Sequence, residues 1–208
     1  FEVTGEEIKQ NWQSIYVEAK LKYNGVNECQ MYSWYDSSFM YREEIYCDNL
    51  LTILGDNGKY SWEYIDKEFK ILSQESDMIE RKLGVFLANK EFLNKSSDVF
   101  SLRYIDITSF DNKVCFKIQL TNNLKLDDTT IYYFDTSSYY KIGKISIKNN
   151  KKSKITYSDF NNICGHILAY HQLLSTFVND NIGTIQFTKF DVNVPIDSLY
   201  FEPVLREE

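Results

Sequence analysis

Ser158-Asp159-Phe160-Asn161-Asn162, then Gly165-His166, then Phe187-Thr188-Lys189-Phe190-Asp191-Val192-Asn193-Val194-Pro195, then Asp197-Ser198-Leu199-Tyr200-Phe201-Glu202-Pro203 punctuate the C-terminal quarter of the chain. Apolar and aromatic runs alternate with short polar turns, no helical period intervenes, and the chain's 2 prolines, Pro195 and Pro203, close the segment. This is the pattern of antiparallel strands and speaks against an α/β enzyme. Near the end the apolar phase flips, from Ile185 and Phe187 to Phe190, Val192 and Val194, which predicts a bulge at Thr188 or Lys189.

The same reading extends upstream. From Ile15 to Tyr23, Ile15, Val17, Ala19, Leu21 and Tyr23 alternate with Glu18, Lys20 and Lys22, as in a strand covered on one side. Strands follow over Glu28–Tyr35, Phe39–Cys47, Asn49–Leu54 and Lys59–Ile65, separated by turn residues such as Asp56-Asn57-Gly58. Further strands run from near Ser101, over Lys113–Thr121, Ile131–Phe134, Lys141–Ile147, Ile155–Phe160, Ile167–Val178 and Thr184–Val194. Two helices are expected. A capping box of Thr4 and Glu7 opens a short one before Ile8 and Trp12. Asp77 with Glu80 starts a longer one from Ser76 to Leu93, whose stripe is Ile79, Leu83, Phe86 and Leu87. A lone helix inside a long antiparallel sheet finds its place on the concave face.

With 208 residues and no linker-like stretch, one domain spanning 1–208 is expected. The net charge of -7 argues against nucleic-acid partners. Lys148, Lys151, Lys152 and Lys154 flank Asn149-Asn150 and read as a solvated hairpin, with peripheral contact to anionic lipid as the alternative. No apolar run is long enough to span a membrane. The chain begins at Phe1 with no initiator Met, as in an exported protein whose signal peptide is removed, or a start chosen for expression. Cys29, Cys47, Cys115 and Cys164 show no metal-ligand spacing. Cys29 and Cys47 flank a hairpin and either meet across it or stay free like the others.

Catalytic constellations are weak. Phe134-Asp135-Thr136-Ser137-Ser138 resembles the Asp-Thr-Gly loop of aspartic proteases, but Ser137 stands where the glycine belongs and no second such loop supplies the partner carboxylate. His166 and His171 sit five apart on a strand, so they point to opposite faces, and neither neighbours a nucleophile elbow. Glu43-Glu44, Asp111 and Asp127-Asp128 read as solvated charge. No enzyme, cofactor or metal site is expected. What stands out is aromatic content, 16 Tyr and 14 Phe. Packing of side chains on the sheet explains any one of these rings. Together they suit an apolar cavity, in which a buried acyl chain of about 16 methylenes would gain at most about 12 kcal/mol.

Several of these stretches resemble the outer-membrane lipoprotein sorting and carrier superfamily, the LolA-like and LolB-like proteins. They are the helix with Trp12, the strand Ile15–Tyr23, Asp56-Asn57-Gly58-Lys59-Tyr60-Ser61-Trp62, Tyr157–Phe160, Asn162–Ile167, and above all Phe190–Pro203. The resemblance implies a mainly β (α+β) fold: a strongly curved antiparallel sheet of about ten to eleven strands forming an unclosed half-barrel, with the longer helix in its concave face. It implies a monomeric protein of the periplasm or outer membrane of a Gram-negative bacterium, binding lipid or the acyl chains of a lipidated protein. Trp34, Trp62, Tyr64, Ile79, Leu83, Phe86, Leu87, Phe116, Phe134 and Phe187 are the candidate lipid-binding residues. The carrier's lid-locking arginine has Arg42, Arg81 and Arg103 as candidates, and no local motif selects among them. The alternative is a rigid accessory module with a filled core that contacts an envelope protein.

Overall fold

The computed structural model describes residues 13–23, 27–37, 40–72, 100–123, 129–148, 151–163, 166–176 and 182–203. Their strands are β1 (Ser14–Tyr23), β2 (Cys29–Asp36), β3 (Tyr41–Cys47), β4 (Leu50–Asp56), β5 (Ser61–Ile65), β6 (Glu68–Ile71), β7 (Phe100–Phe110), β8 (Lys113–Asn122), β9 (Thr129–Asp135), β10 (Lys141–Lys148), β11 (Lys151–Ile163), β12 (His166–Thr176) and β13 (Ile182–Val192). They share one sheet in the order β6-β5-β4-β3-β2-β1-β13-β12-β11-β10-β9-β8-β7. Sequence neighbours pair except β6 and β7, which end the order on opposite sides, and β13 returns to meet β1.

The expected α+β class is therefore corrected. Among the described residues the sheet has 13 strands, no α-helix packs on it, and the helical element is one 3-10 turn, Ser198–Phe201. The helices expected around Trp12 and over Ser76–Leu93 lie outside the described residues. One unforeseen strand is β6. It follows a two-residue turn, Asp66-Lys67, in which both residues take positive φ (49° and 69°). A primed hairpin turn of this kind normally carries Gly or Asn, and the sequence advertises neither here.

The chain divides into two compact units. One holds β1–β6, the second half of β13 and the C-terminal segment, and the other holds β7–β12 and the first half of β13. In the first, the alternation of β1 is realised: Ile15, Val17, Ala19 and Leu21 are buried to 4% exposure or less, and Cys29 and Met31 on β2 are buried with them at 0% and 7%. Tyr23, expected on the same face, is exposed. Cys29 and Cys47 form a disulfide across the open end of the β2–β3 hairpin, with Cα atoms 4.5 Å apart.

In the second unit, β7 and β8 are joined by another primed turn, Asp111-Asn112 (φ 51° and 62°). Phe110, Cys115, Tyr133 and Ile142 form a buried cluster, and Leu120 with Tyr132 forms another. Since Cys115 and Leu120 are an odd number apart on β8, the clusters occupy opposite faces. Phe110 stacks on Tyr133 at 4.1 Å, and its ring covers Gly143. The expected lysine hairpin is present, with Lys148 opposite Lys151. Thr188 and Lys189, where a bulge is expected from sequence, are both exposed.

A Cβ on residue 143 would collide with the Phe110 ring and come to 3.0 Å from the Ile155 carbonyl. Gly143→Ala is expected to cost about 1 to 3 kcal/mol, read as a lower urea midpoint with unchanged m.

Candidate functional site

Residues directly opposite in antiparallel strands share a face, so the registers assemble the site row by row. One row across β1–β6 is Tyr16, Trp34, Arg42, Gly55, Trp62 and Ile71. The next is Glu18, Tyr32, Glu44, Ile53, Tyr64 and Phe69. Lys20, Gln30, Tyr46 and Leu51 make a third. The apolar residues of β1 point the other way, so this face is separate from the Ile15–Leu21 core.

At its centre Arg42 is buried. Its Nε donates to Glu44 Oε1 at 2.7 Å and its Nη1 to the Tyr200 carbonyl at 3.2 Å, with the guanidinium 4.7 Å from the Tyr200 ring. Trp62 Nε1 donates to the Phe201 carbonyl at 3.1 Å, and Asn57 Nδ2 to Glu202 Oε2 at 2.8 Å. Three side chains from β3 to β5 thus hold the 3-10 turn and the residue after it. Asp197 starts that turn by accepting from the Leu199 N–H, and Phe201 is fully buried. Two ends of the sequence pattern, the Asp56–Trp62 turn and the Phe190–Pro203 segment, meet here. Within the turn, Asp56 accepts from the Gly58 N–H and the Ser61 hydroxyl, and Asn57 Oδ1 from the Lys59 and Tyr60 N–H groups. Gly58 takes φ 84°, which a side chain would strain.

Glu44 is equally saturated. Besides Arg42, it accepts from the Tyr46 hydroxyl at 2.7 Å and the Tyr200 hydroxyl at 3.3 Å. The bond to Glu44 pushes Tyr46 up to about 12, and burial does the same to Tyr200. Both phenols therefore stay protonated donors. Beside this pair lies a hollow of about 150 Å3 lined by Arg42, Glu44, Tyr46, Leu51, Ile53, Trp62, Tyr64 and Phe69. Its volume is that of a benzene-sized group, and it opens to solvent with polar as well as apolar walls.

Of the candidate lipid-binding residues, Trp62 and Tyr64 line this hollow. Trp34 lies on the same face but packs on Tyr16 and Tyr200, at 5.2 and 4.9 Å. Phe116 and Phe134 are opposite each other in the other unit, where Phe134 packs on the Leu120–Tyr132 cluster. Phe187 is half-buried on β13. Ile79, Leu83, Phe86 and Leu87 lie outside the described residues. Sequence reasoning missed Glu44, Tyr46, Leu51, Ile53 and Phe69. The i, i+2 spacing of Arg42, Glu44 and Tyr46 on a strand is the signal that would have found three of the lining residues together.

The remaining chemical candidates resolve as structure. Asp135 Oδ1 accepts from the N–H groups of Ser137 and Ser138, both at 2.8 Å, and these bonds hold its carboxyl below the usual carboxylate range. It closes a turn. His171 Nδ1 meets Ser158 Oγ at 3.0 Å in an exposed cross-strand pair, with no acid bonded to the ring among the described residues. Cys115 is a buried thiol pushed up by burial, its Sγ 3.3 Å from the Lys113 carbonyl. Glu43, read from sequence as solvated charge, is half-buried on the face of Val17 and Ser33. Burial pushes its carboxyl up, and a bond from the Ser33 hydroxyl only partly offsets this.

Two outcomes follow from these contacts. Arg42→Ala leaves Glu44 buried beside no cation and frees the Tyr200 carbonyl oxygen, so a loss of about 3 to 5 kcal/mol is expected. Hydrogen exchange at the Tyr200 and Glu202 amides should accelerate more than on β1. For Glu43 the raised folded pKa means that the folded state holds this proton more tightly than the unfolded one. Its contribution to stability is present in acid and is lost as pH rises through the unfolded and then the folded value. Glu43→Gln should therefore stabilise the protein near pH 7 and change it little near pH 4, as measured by urea unfolding at each.

No protein-family model matches the chain, and no curated protein matches it by sequence. Solved structures do match by fold. A DUF1329 family protein from Desulfovibrio piger superposes with a TM-score of 0.67 at 14% identity, covering 94% of this chain and 92% of that one. A putative outer membrane lipoprotein-sorting protein domain from Vibrio parahaemolyticus gives 0.65 at 10% identity, covering 96% and 94%. A LolA superfamily protein from Nitrosomonas europaea gives 0.64 at 10% identity, covering 97% and 96%. At these identities the likeness is one of fold: this chain shares the architecture of the LolA superfamily, lipoprotein-sorting and DUF1329 structures.

Proposed function

We propose that this chain is a non-catalytic protein of the cell envelope, exported to the periplasm or the outer membrane, that binds lipid or the acyl chains of a lipidated protein. The observation that carries the reading is the hollow over β3–β6. Six of its eight lining residues are aromatic or aliphatic, and its two charges, Arg42 and Glu44, are bound to each other and to the chain. The rings and aliphatic side chains of its wall offer hydrocarbon an apolar surface beside that satisfied charge pair. The Cys29–Cys47 disulfide supports an oxidising compartment. The lipoprotein-sorting domain among the similar structures supports the ligand class.

Magnitude limits what this hollow does alone. A benzene-sized end of an acyl chain, about six carbons, contributes at most about 5 kcal/mol at 0.8 kcal/mol per methylene, which corresponds to sub-millimolar binding. A lipid held more tightly must be covered along the rest of its length by further apolar surface. Trp34 and Phe187, candidate rings of the same unit, are proposed for that role, and Phe116 and Phe134 for a contact within theirs.

Lipid extraction and native mass spectrometry of protein purified from an envelope fraction should recover an acyl lipid, and a fluorescent fatty acid should bind. Tyr64→Asp, which places a charge in the hollow, should weaken that binding at least about tenfold, or 1.4 kcal/mol. Recovery of no lipid together with no fatty-acid binding would rule the function out. Unchanged binding by the Tyr64 variant would move the ligand away from this hollow.

A further inference from the structure

The two end strands of the sheet differ sharply. β6 has 4 residues and ends the order on one side, whereas β7 has 11 and ends it on the other. Short strands, prolines and lysines blunt sheet edges against pairing with other chains. β7 is long, and its sequence FSLRYIDITSF contains neither proline nor lysine. Its apolar side chains are also uncovered: Leu102 is 40% exposed, Tyr104 57% and Ile107 56%.

These three share a face, because they stand opposite Leu120, Ile118 and Phe116 of β8. One strand further in, that face is closed over, with Leu120 at 6% exposure and Tyr132 at 1%. The apolar surface therefore runs outward to the edge and stops there, unpaired within the described residues.

The register of β7 supplies the specificity. A bulge falls between Tyr104 and Asp106, so Arg103 opposite Gln119 and Asp106 opposite Lys117 come to lie on one face. In an unbroken strand, residues three apart face opposite ways. Two antiparallel copies of β7 related by a two-fold axis between Tyr104 and Ile105 then meet in matching faces. Arg103 faces Asp106 of the second copy, Leu102 faces its Ile107, and Ser101 faces its Thr108. A shift by one residue puts opposite faces together. A shift by two sets Arg103 against Thr108 and loses the charge match. Arg103 and Asp106 make no ion pair among the described residues.

We propose that β7 is a self-complementary edge through which two copies of this chain pair as a two-fold dimer. This departs from the monomer expected from sequence and is independent of the lipid-binding reading. The contact is isologous, so each charge pair occurs twice and the assembly closes at two.

Sedimentation equilibrium of the full chain provides the test, with circular dichroism to confirm that each variant folds. The wild type should dimerise. Arg103→Asp sets two aspartates against each other on both sides of the axis and should weaken the dimer at least about tenfold. Adding Asp106→Arg to that variant reverses both charges and should restore the wild-type constant. A wild type that stays monomeric at about 0.1 mM, an Arg103→Asp variant that dimerises as well as wild type, or a charge swap that fails to restore pairing each overturns the proposal. In the first case a strand from a different protein would be the occupant of this edge.

Discussion

A buried guanidinium must be fully answered by hydrogen bonds or it costs several kcal/mol, and Arg42 is answered from two directions. Glu44, two residues along the same strand, takes Nε, and the Tyr200 carbonyl, 158 residues away in sequence, takes Nη1. The second bond exists only when the C-terminal segment is in place. That segment in turn is positioned by Trp62 and Asn57, which belong to the turn and strand that follow Arg42's own hairpin partner. The sheet from β3 to β5 and the C-terminal segment are therefore conditional on each other. The hollow beside Glu44 inherits its walls from this arrangement.

Alternation made most of the strands legible, because a strand with one wet face leaves a period of two in its composition, as β1 does with Ile15, Val17, Ala19 and Leu21. The same logic failed where pairing, and not burial, decides. β6 has four exposed residues and no buried face to print a pattern. Glu44 looked like surface charge beside Glu43 because sequence cannot show that Arg42, Tyr46 and Tyr200 converge on it. Arg42 was named among three arginines, and what distinguishes it, a carbonyl contributed by residue 200, is a long-range fact. The Asp135 loop looked catalytic in outline, and its carboxylate proves to be occupied by the two N–H groups of its own turn.

The turns explain how so β-rich a chain manages with 8 glycines. Positive φ is taken by Asp48, Asp66, Asp111, Asn112, Asp159 and Asn193. Asp and Asn tolerate this region better than other side chains because their short polar groups bond locally. Asn193 shows the gain. Its side chain accepts from the Gln13 N–H at 2.9 Å while its own N–H donates to the Ser14 carbonyl at 2.8 Å, so a residue leaving β13 is tied to the start of β1.

The abundance of rings has a structural meaning that bears on ligand capacity. At two glycines inside strands an aromatic ring covers the gap: Trp62 lies over Gly55 and Phe110 over Gly143. Others pair along the sheet face, as Trp34 does with Tyr16 and Tyr200. Each such contact uses apolar area that an acyl chain would otherwise cover, and ring pairs contribute about 0.5 to 1.5 kcal/mol beyond their burial. A ligand that displaced them would have to exceed both. These contacts leave open a space of about 150 Å3 beside Trp62 and Tyr64, and on the proposed lipid-binding reading that space is where hydrocarbon would displace the fewest ring contacts.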